Sequence, residues 1–552
     1  MDNNVEMLDR YLPLGSIVNG SEIMADIGIY DDPDNQEQGH YMLNISKGHT
    51  LIIGSPQTGK TNILQQIVKD LMRKGKPEEV NIYILDFSSG VLKNYADSNM
   101  VGGVVTATDD DKFMHFILLM QNEIIRRKEL LTDSGLSSFA AYKEAGNSDI
   151  PQIVVMIDYF LGVKESYLQK EDMLLPLMRE GISLGISFIL TDIQASNIGF
   201  RYMSLFTNKI ALFCNNGSDY QTVFGMCKKK LKDIPGRSVI EMDKKHFFMQ
   251  NYLSFEGEKE IDRIARVKEE IAVCNEKNAG RHAVRIPEVP IEFTDEMLLD
   301  MENSGLKKKK YSPVFGIEFN SASPERLDLS RGIMGVVGGD ETIRNMWISN
   351  LILQLIRDED SEFKAVIFDD YKKNYKKNLE IMAVESSADS SNNQMGIISD
   401  KVVIKQEPEE ISACIDELYE DALKTKGLLK ENPDNLEQIP LKLLIINNKE
   451  AMDMINKDRK LLEKYKELIG KYHSLKIMII ISCIDDVKQG YTNVDVQKSV
   501  IESQNIMFLD SINQIRIIEI QPSTRREFPK PLTKTEGLYY KDGDYRKYKL
   551  LV

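Results

Sequence analysis

Five landmarks of this chain occur twice, in the same order and at nearly constant spacing, and that repetition constrains the fold more than any single motif. Ile27-Gly28-Ile29 recurs as Phe315-Gly316-Ile317, Ile52-Ile53-Gly54 as Val336-Val337-Gly338, and Leu85-Asp86 as Phe368-Asp369. Ile150-Pro151 followed by Val154-Val155-Met156-Ile157-Asp158 recurs as Ile439-Pro440 followed by Leu443-Leu444-Ile445-Ile446-Asn447, and Leu184 to Thr191 recurs as Leu475 to Ser482. The offsets lie between 283 and 291, so the 552 residues read as one unit written twice. Within each copy, apolar runs of strand length alternate with segments of helical period, as at Ile63, Leu64, Ile67, Val68, Leu71 and Met72 before the stop at Gly75. That alternation predicts α/β units with mainly parallel sheets. A first domain is expected over 1–285, a linker over 286–312 with Pro287, Pro290 and the run Lys307 to Lys310, and a second domain over 313–552.

The first copy carries Gly54-Ser55-Pro56-Gln57-Thr58-Gly59-Lys60-Thr61, which matches G-x-x-x-x-G-K-[ST] between a strand and a helix. Glycines there let backbone N–H groups turn toward phosphate, and the helix start adds partial positive charge. Lys60 is expected to reach the β- and γ-phosphates of ATP, and Thr61 to offer its hydroxyl to Mg²⁺. Asp158, ending a strand, is the expected carboxylate on the magnesium side. The next residue usually supplies the base that activates water in ATPases of this class. Here it is Tyr159, which stays protonated at neutral pH, so slow or absent hydrolysis is expected. Thr191 ends the next strand, where RecA-like ATPases place a γ-phosphate sensor, and such a residue can equally satisfy a turn. Asp86 could face the site or cap the turn that follows it.

The second copy has lost this chemistry. Gly338 to Asn345 aligns with Gly54 to Thr61 and places Ile343, Arg344 and Asn345 where the first copy has Gly59, Lys60 and Thr61. Asn447 replaces Asp158, and Asp340 and Glu341 add negative charge beside a phosphate cradle. The second domain reads as a degenerate pseudo-ATPase. Trp347, the one tryptophan, takes the place of Ile63 on an apolar helix face and is expected to be buried.

Composition narrows the partners. Net charge is -15, which repels polyphosphate at long range and disfavours a dedicated nucleic-acid binder. The five cysteines, at 214, 227, 274, 414 and 483, show no C-x-x-C spacing, so neither a zinc site nor a disulfide framework is written. The start Met1-Asp2-Asn3-Asn4-Val5-Glu6 lacks signal-peptide character and no apolar run reaches membrane-spanning length, so the chain reads as cytosolic.

These residues resemble the FtsK/SpoIIIE class of ring-forming ATPases, and within it the EssC-type (EccC-related) motors of type VII secretion. The cues are Ile27-Gly28-Ile29-Tyr30-Asp31-Asp32-Pro33 with Gln36 and Gln38, Leu85-Asp86-Phe87, Arg179-Glu180-Gly181 through Leu184-Gly185-Ile186, and Pro235-Gly236-Arg237. The resemblance covers nearly the whole chain, as the last two of three tandem RecA-like P-loop modules. It implies a piece or a reduced form of a longer motor with a membrane anchor and a forkhead-associated region upstream. It further implies a homo-hexamer at the inner face of the membrane, working with other subunits of the secretion complex and exporting helical WXG100-type proteins. The terminal modules are associated with substrate recognition in that family, so substrate docking is expected in the second domain. Arg179 and Arg201 are candidates for an arginine finger. An FtsK-like DNA translocase is the rival reading, disfavoured by the acidity and by the lack of a basic winged-helix tail; a pure scaffold leaves the intact motif unexplained.

Overall fold

The computed structural model describes residues 18, 19, 22–167, 170–370, 372, 375, 377–379, 400–431, 436, 437, 439–484 and 495–552. The chain divides between Pro287 and Glu288 into two compact units. The first unit holds β1 (Val18–Asn19), β2 (Glu22–Asp32), β3 (Glu37–Asn44), β4 (His49–Ile53), β5 (Val80–Asp86), β6 (Val101–Thr106), β7 (Gln152–Asp158), β8 (Ile186–Asp192), β9 (Phe206–Leu212), β10 (Arg237–Met242) and β11 (Lys245–Asn251). They form one sheet in the order β1-β2-β11-β10-β9-β4-β8-β7-β5-β6, with β3 paired to β2. From β9 to β6 every pairing is parallel. The remaining strands form an antiparallel wing. Strands β4, β5, β7 and β8 are buried at every position, as expected of parallel strands covered on both faces.

The second unit holds β12 (Val314–Glu318), β13 (Pro324–Arg326), β14 (Gly332–Val337), β15 (Phe363–Phe368), β16 (Val402–Lys405), β17 (Leu441–Ile446), β18 (Ile477–Ile484), β19 (Asn505–Phe508), β20 (Glu536–Lys541) and β21 (Asp544–Leu550). Its order is β13-β12-β21-β20-β19-β14-β18-β17-β15-β16. From β12 to β16 this order reproduces that from β2 to β6, and β13 pairs with β12 as β3 does with β2, so the fold is two tandem RecA-like α/β domains, with β1 matched by no strand among the described residues of the second. The antiparallel wing closes on the same device in both: Asp243-Lys244 and Asp542-Gly543 are two-residue turns with both residues at positive φ, the type I′ geometry that suits the strand twist.

The stretch expected as a linker is ordered structure. Asp295–Asn303 is a helix whose N-cap Thr294 accepts from the Met297 N–H, and Phe293 and Leu298 are buried with Val314, Ile317 and Leu551. Two prolines and a lysine run masked the apolar positions between them. Trp347 is fully buried on helix Glu341–Arg357, its Nε1 donating to the Phe315 carbonyl at 2.8 Å and its ring meeting Phe315 edge-on. Among the described residues no helix is long and apolar enough to cross a membrane.

Candidate nucleotide site

The loop Gly54–Gly59 leaves the central strand β4 and feeds helix Lys60–Lys74, whose Ile63, Leu64, Ile67, Val68, Leu71 and Met72 are buried. Each such side chain contributes about 1.5–3 kcal/mol, which fixes the helix and with it the loop. Gln57 (φ 63°) and Gly59 (φ 111°) lie in the left-handed region, where a glycine is at home and a glutamine is strained. The turn is braced from behind. The Thr58 hydroxyl donates to the Ser55 carbonyl at 2.8 Å, the Ser55 hydroxyl accepts from the Asn215 N–H, and the Gly236 N–H donates to the Thr58 carbonyl at 3.0 Å. Gly236 belongs to Pro235-Gly236-Arg237, so that motif pins the loop.

Among the described residues, the backbone N–H groups of Gln57, Thr58, Gly59, Lys60 and Thr61 have no protein acceptor. Lys60 sends its ammonium back onto the Gly54 and Ser55 carbonyls at 2.7 and 2.9 Å, and burial lowers its pKa against the pull of Asp158 and Asp192. A ring of unclaimed N–H donors with a desolvated ammonium beside it is complementary to a polyphosphate.

Below the loop runs a chain of hydroxyls and a carboxylate. Thr61 donates to Asp158 Oδ2 at 2.7 Å, Thr191 donates to Asp158 Oδ1 at 2.6 Å, and the Tyr159 N–H donates to the Thr191 hydroxyl at 2.9 Å. Burial holds the Asp158 carboxyl above its usual range, and the two hydroxyls only partly offset this. A desolvated carboxylate beside a threonine hydroxyl fits a hard divalent cation.

A cleft of about 570 Å³ gathers Pro56, Gln57, Gly59, Lys60, Thr61, Phe87, Asp158 and Tyr159. Thr191 does not line it. Its hydroxyl is fully buried and occupied as both donor and acceptor, so it positions Asp158 and the Tyr159 backbone. Asp86 is the turn cap: its carboxylate accepts from the N–H groups of Ser88, Gly90 and Leu92. Tyr159 sits at φ 70°, and burial raises its phenol above the ordinary value, which keeps it protonated. The residue missed in the sequence is Asp192, a buried strand-end carboxylate that holds the first turn of helix Phe160–Ser166, just after Tyr159, by accepting from the Leu161 N–H at 2.8 Å. An acid one residue beyond Thr191 was its only signal.

In the second unit the equivalent stretch is rewound. Its helix begins at Glu341, three residues earlier than the aligned helix of the first unit. Asp340 caps it by accepting from the Thr342 N–H at 2.9 Å, and Asp510 accepts from the Gly339 N–H at 3.0 Å. Arg344 donates to the Gly338 carbonyl at 3.0 Å, as Lys60 does to Gly54. Ser482 donates to Asn447 at 2.9 Å, as Thr191 does to Asp158.

Residues 14–219 match the FtsK/SpoIIIE family. The first unit carries an FtsK/SpoIIIE domain. The chain is a relative of EssC-type proteins: it is 29% identical over 319 residues to the type VII secretion system protein EssC of Staphylococcus aureus strain MRSA252, covering 56% of this chain and 21% of that protein. It is 25% identical over 366 residues to the ESX secretion system protein YukB of Bacillus subtilis strain 168, covering 65% and 24%. The chain thus spans about a fifth to a quarter of the length of these relatives. Its fold matches EssC ATPases 2 and 3 from Geobacillus thermodenitrificans with a TM-score of 0.74 at 19% identity, covering 98% of this chain and 99% of that one. It also matches Thermomonospora curvata EccC ATPases 2 and 3 in complex with a signal sequence peptide, with a TM-score of 0.64 at 17% identity over 97% and 93%.

Proposed function

We propose that the first unit binds one Mg-ATP per chain and that the second binds none, so that the chain is the terminal ATPase pair of a type VII secretion motor. The observation that carries this is the row of backbone N–H donors from Gln57 to Thr61 that have no acceptor among the described residues, beside the Thr61–Asp158 pair. Gly54 to Lys60 would cradle the phosphates, and Thr61 and Asp158 would hold the Mg²⁺, whose charge offsets that of the phosphate oxygens. With Tyr159 protonated, the site holds nucleotide as a conformational ligand more than as fuel. Calorimetric titration of the chain with Mg-ATP checks this. One site is expected; two sites, or none, would overturn the assignment.

The wider role rests on kinship. In this reading the pair works at the inner face of the membrane within a homo-hexameric motor and its partner subunits, and its second unit docks WXG100-type substrates or their signal sequences. Hydrogen exchange of the chain with and without a WXG100-type protein tests the docking. Protection is expected within 313–552, and protection confined to 1–285 would put recognition in the other unit.

A further inference from the structure

Away from the phosphate loop, the antiparallel wing of the first unit carries a cleft of about 720 Å³, floored by β2, β3 and β11 and walled by helices Lys60–Lys74 and Glu260–Lys277. Asp26, Ile29 and Tyr252 line its floor, and Asp70 and Arg73 line its wall. Two further lining side chains, Leu253 and Val273, are apolar and yet 56% and 66% exposed. Helix Glu260–Lys277 meets the first helix through Glu270 and Arg73 and leaves both of them in water. Apolar side chains exposed together around a concave face mark a surface that lacks its neighbour.

In the second unit the same face is covered, and hydrogen bonds fix the correspondence. The Tyr252 N–H donates to the Ile27 carbonyl at 3.0 Å and the Leu551 N–H to the Phe315 carbonyl at 3.2 Å, so Leu551 stands where Tyr252 does. The Asp26 N–H donates to Asp70 at 3.1 Å and the Val314 N–H to Gln354 at 2.8 Å, so Val314 and Gln354 stand for Asp26 and Asp70. Arg357, three residues beyond Gln354, then stands for Arg73. Helix Asp295–Asn303 is seated on this face: Leu298 is buried with Val314, Ile317 and Leu551, and Arg357 holds Asp295 at 2.7 Å. Where Leu298, Gln354 and Arg357 come together only about 20 Å³ of cavity remains.

The covering helix precedes β12 in the chain, as residues 1–17, outside the described ones, precede β1 and β2. Their sequence repeats it. Glu6-Met7-Leu8 answers Glu296-Met297-Leu298 at an offset of 290, within the range of the other five landmarks, and Asn4 answers the N-cap Thr294. Floor and segment also differ in step: Asp26 replaces Val314 on the floor, and at the same offset of 290 Arg10 replaces Asp300 in the segment, a cation for a carboxylate. We infer that the cleft is the seat of residues 4–12 of this chain, with Leu8 over Ile29 and Tyr252 as Leu298 lies over Ile317 and Leu551. Each unit then closes its wing face with the stretch of chain just ahead of it. A helix from a partner reaches the first unit's wing only by displacing that segment.

The test is hydrogen exchange of the full chain, read on peptides that cover residues 1–17, with a synthetic peptide of that sequence as the unprotected reference. Amides of residues 5–12 should exchange at least about tenfold more slowly in the chain than in the peptide, the slowing given by a seat occupied nine-tenths of the time. Leu253→Asp and Val273→Asp each place a carboxylate on an exposed part of the lining, where the fold has little to lose, and each should return most of the exchange to the reference rate. Leu8→Asp should do the same from the other side of the contact. Exchange at the reference rate in the unaltered chain would overturn the seat, and so would protection that none of the three variants reduces. Protection that fades on dilution would put the segment in the cleft of a second copy and overturn its assignment to its own chain.

Discussion

Residues 54–61 and 338–345 are equal lengths of chain between equivalent strands and helices, yet one wraps an open cradle and the other winds into its own helix. What separates them is who answers the backbone donors. In the first unit the N–H groups of Gln57 to Thr61 have no acceptor among the described residues, and the positive φ of Gln57 and Gly59 holds the chain out of the helix until Lys60. In the second, Asp340 and Asp510 supply carboxylates to the Thr342 and Gly339 N–H groups, and positive φ has moved back to Gly338 and Gly339. The second copy therefore carries its anion covalently. Around it, Arg344 and Ser482 make hydrogen bonds of the same kind as Lys60 and Thr191 make in the first unit.

The largest expected difference concerns turnover. With Tyr159 where a base would stand, phosphate release by the chain should fall about 10²–10⁴-fold below an ordinary ATPase rate on the order of 1–10 s⁻¹. Tyr159→Glu should recover part of that factor in a phosphate-release assay. Ordinary turnover by the unaltered chain would mean that another group activates water, and the contrast between a holding site and a filled one would lose its meaning.

Next in size is the contrast between the two cations. Lys60→Ala removes a charge-assisted contact worth roughly 1.5–3 kcal/mol and should weaken Mg-ATP about ten- to over a hundredfold. Arg344→Ala should leave the same titration unchanged, although Arg344 occupies the equivalent place. An effect of Arg344→Ala comparable to that of Lys60→Ala would show that the second copy still takes part in nucleotide binding.

Asp340 comes third. Ala at this N-cap should cost the second unit about 0.5–2 kcal/mol, seen as a lower urea midpoint, without creating a nucleotide site, because Asp510 and the early helix start remain. Its pKa lies below the ordinary value, chiefly through the Thr342 N–H, so the cap acts above the unfolded pKa and fades as the pH falls through the depressed one. A stability difference between variant and parent that persists well below pH 4 would contradict the capping role.

The sequence made some of this contrast legible and hid the rest for physical reasons. Glycine, lysine and threonine at fixed spacing after a strand identify the cradle because backbone approach and charge are local properties, and the Asp158 position follows from the strand it ends. Asp340 read as a like charge beside a phosphate; in the structure it is a cap, because nothing in an alignment says where a helix begins. Thr191 read as a sensor or a turn residue, and only the packing of β8 between β4 and β7 shows its hydroxyl buried against Asp158. The antiparallel wing is harder to see in the sequence, the Asp542-Gly543 hairpin signal apart, because its strands are partly exposed and lack the unbroken apolar runs of the buried parallel strands.

The smallest effect concerns Asp370, which the first unit lacks. Burial, a hydrogen bond to Glu341 and the charges of Glu341 and Asp369 push its carboxyl up to about 6, while Lys372 and Asp370 together hold Glu341 low against its burial. Below that pH a protonated Asp370 donates to Glu341 in the first turn of the rewound helix; above it, two carboxylates face each other. Because the folded pKa is raised, the folded state binds the extra proton between about pH 4 and 6, so the second unit loses stability as the pH rises through that window. Asp370→Asn keeps a donor at every pH and removes the like charge. Its urea midpoint should equal that of the parent near pH 4 and exceed it from pH 6 upward, by under about 1 kcal/mol, since a half-exposed pair is screened by water. The gain should shrink in high salt. A variant-minus-parent difference that is flat from pH 4 to 7 would mean that Glu341 and Asp370 do not share a proton, and that the rewound helix start rests on Asp340 and Asp510 alone.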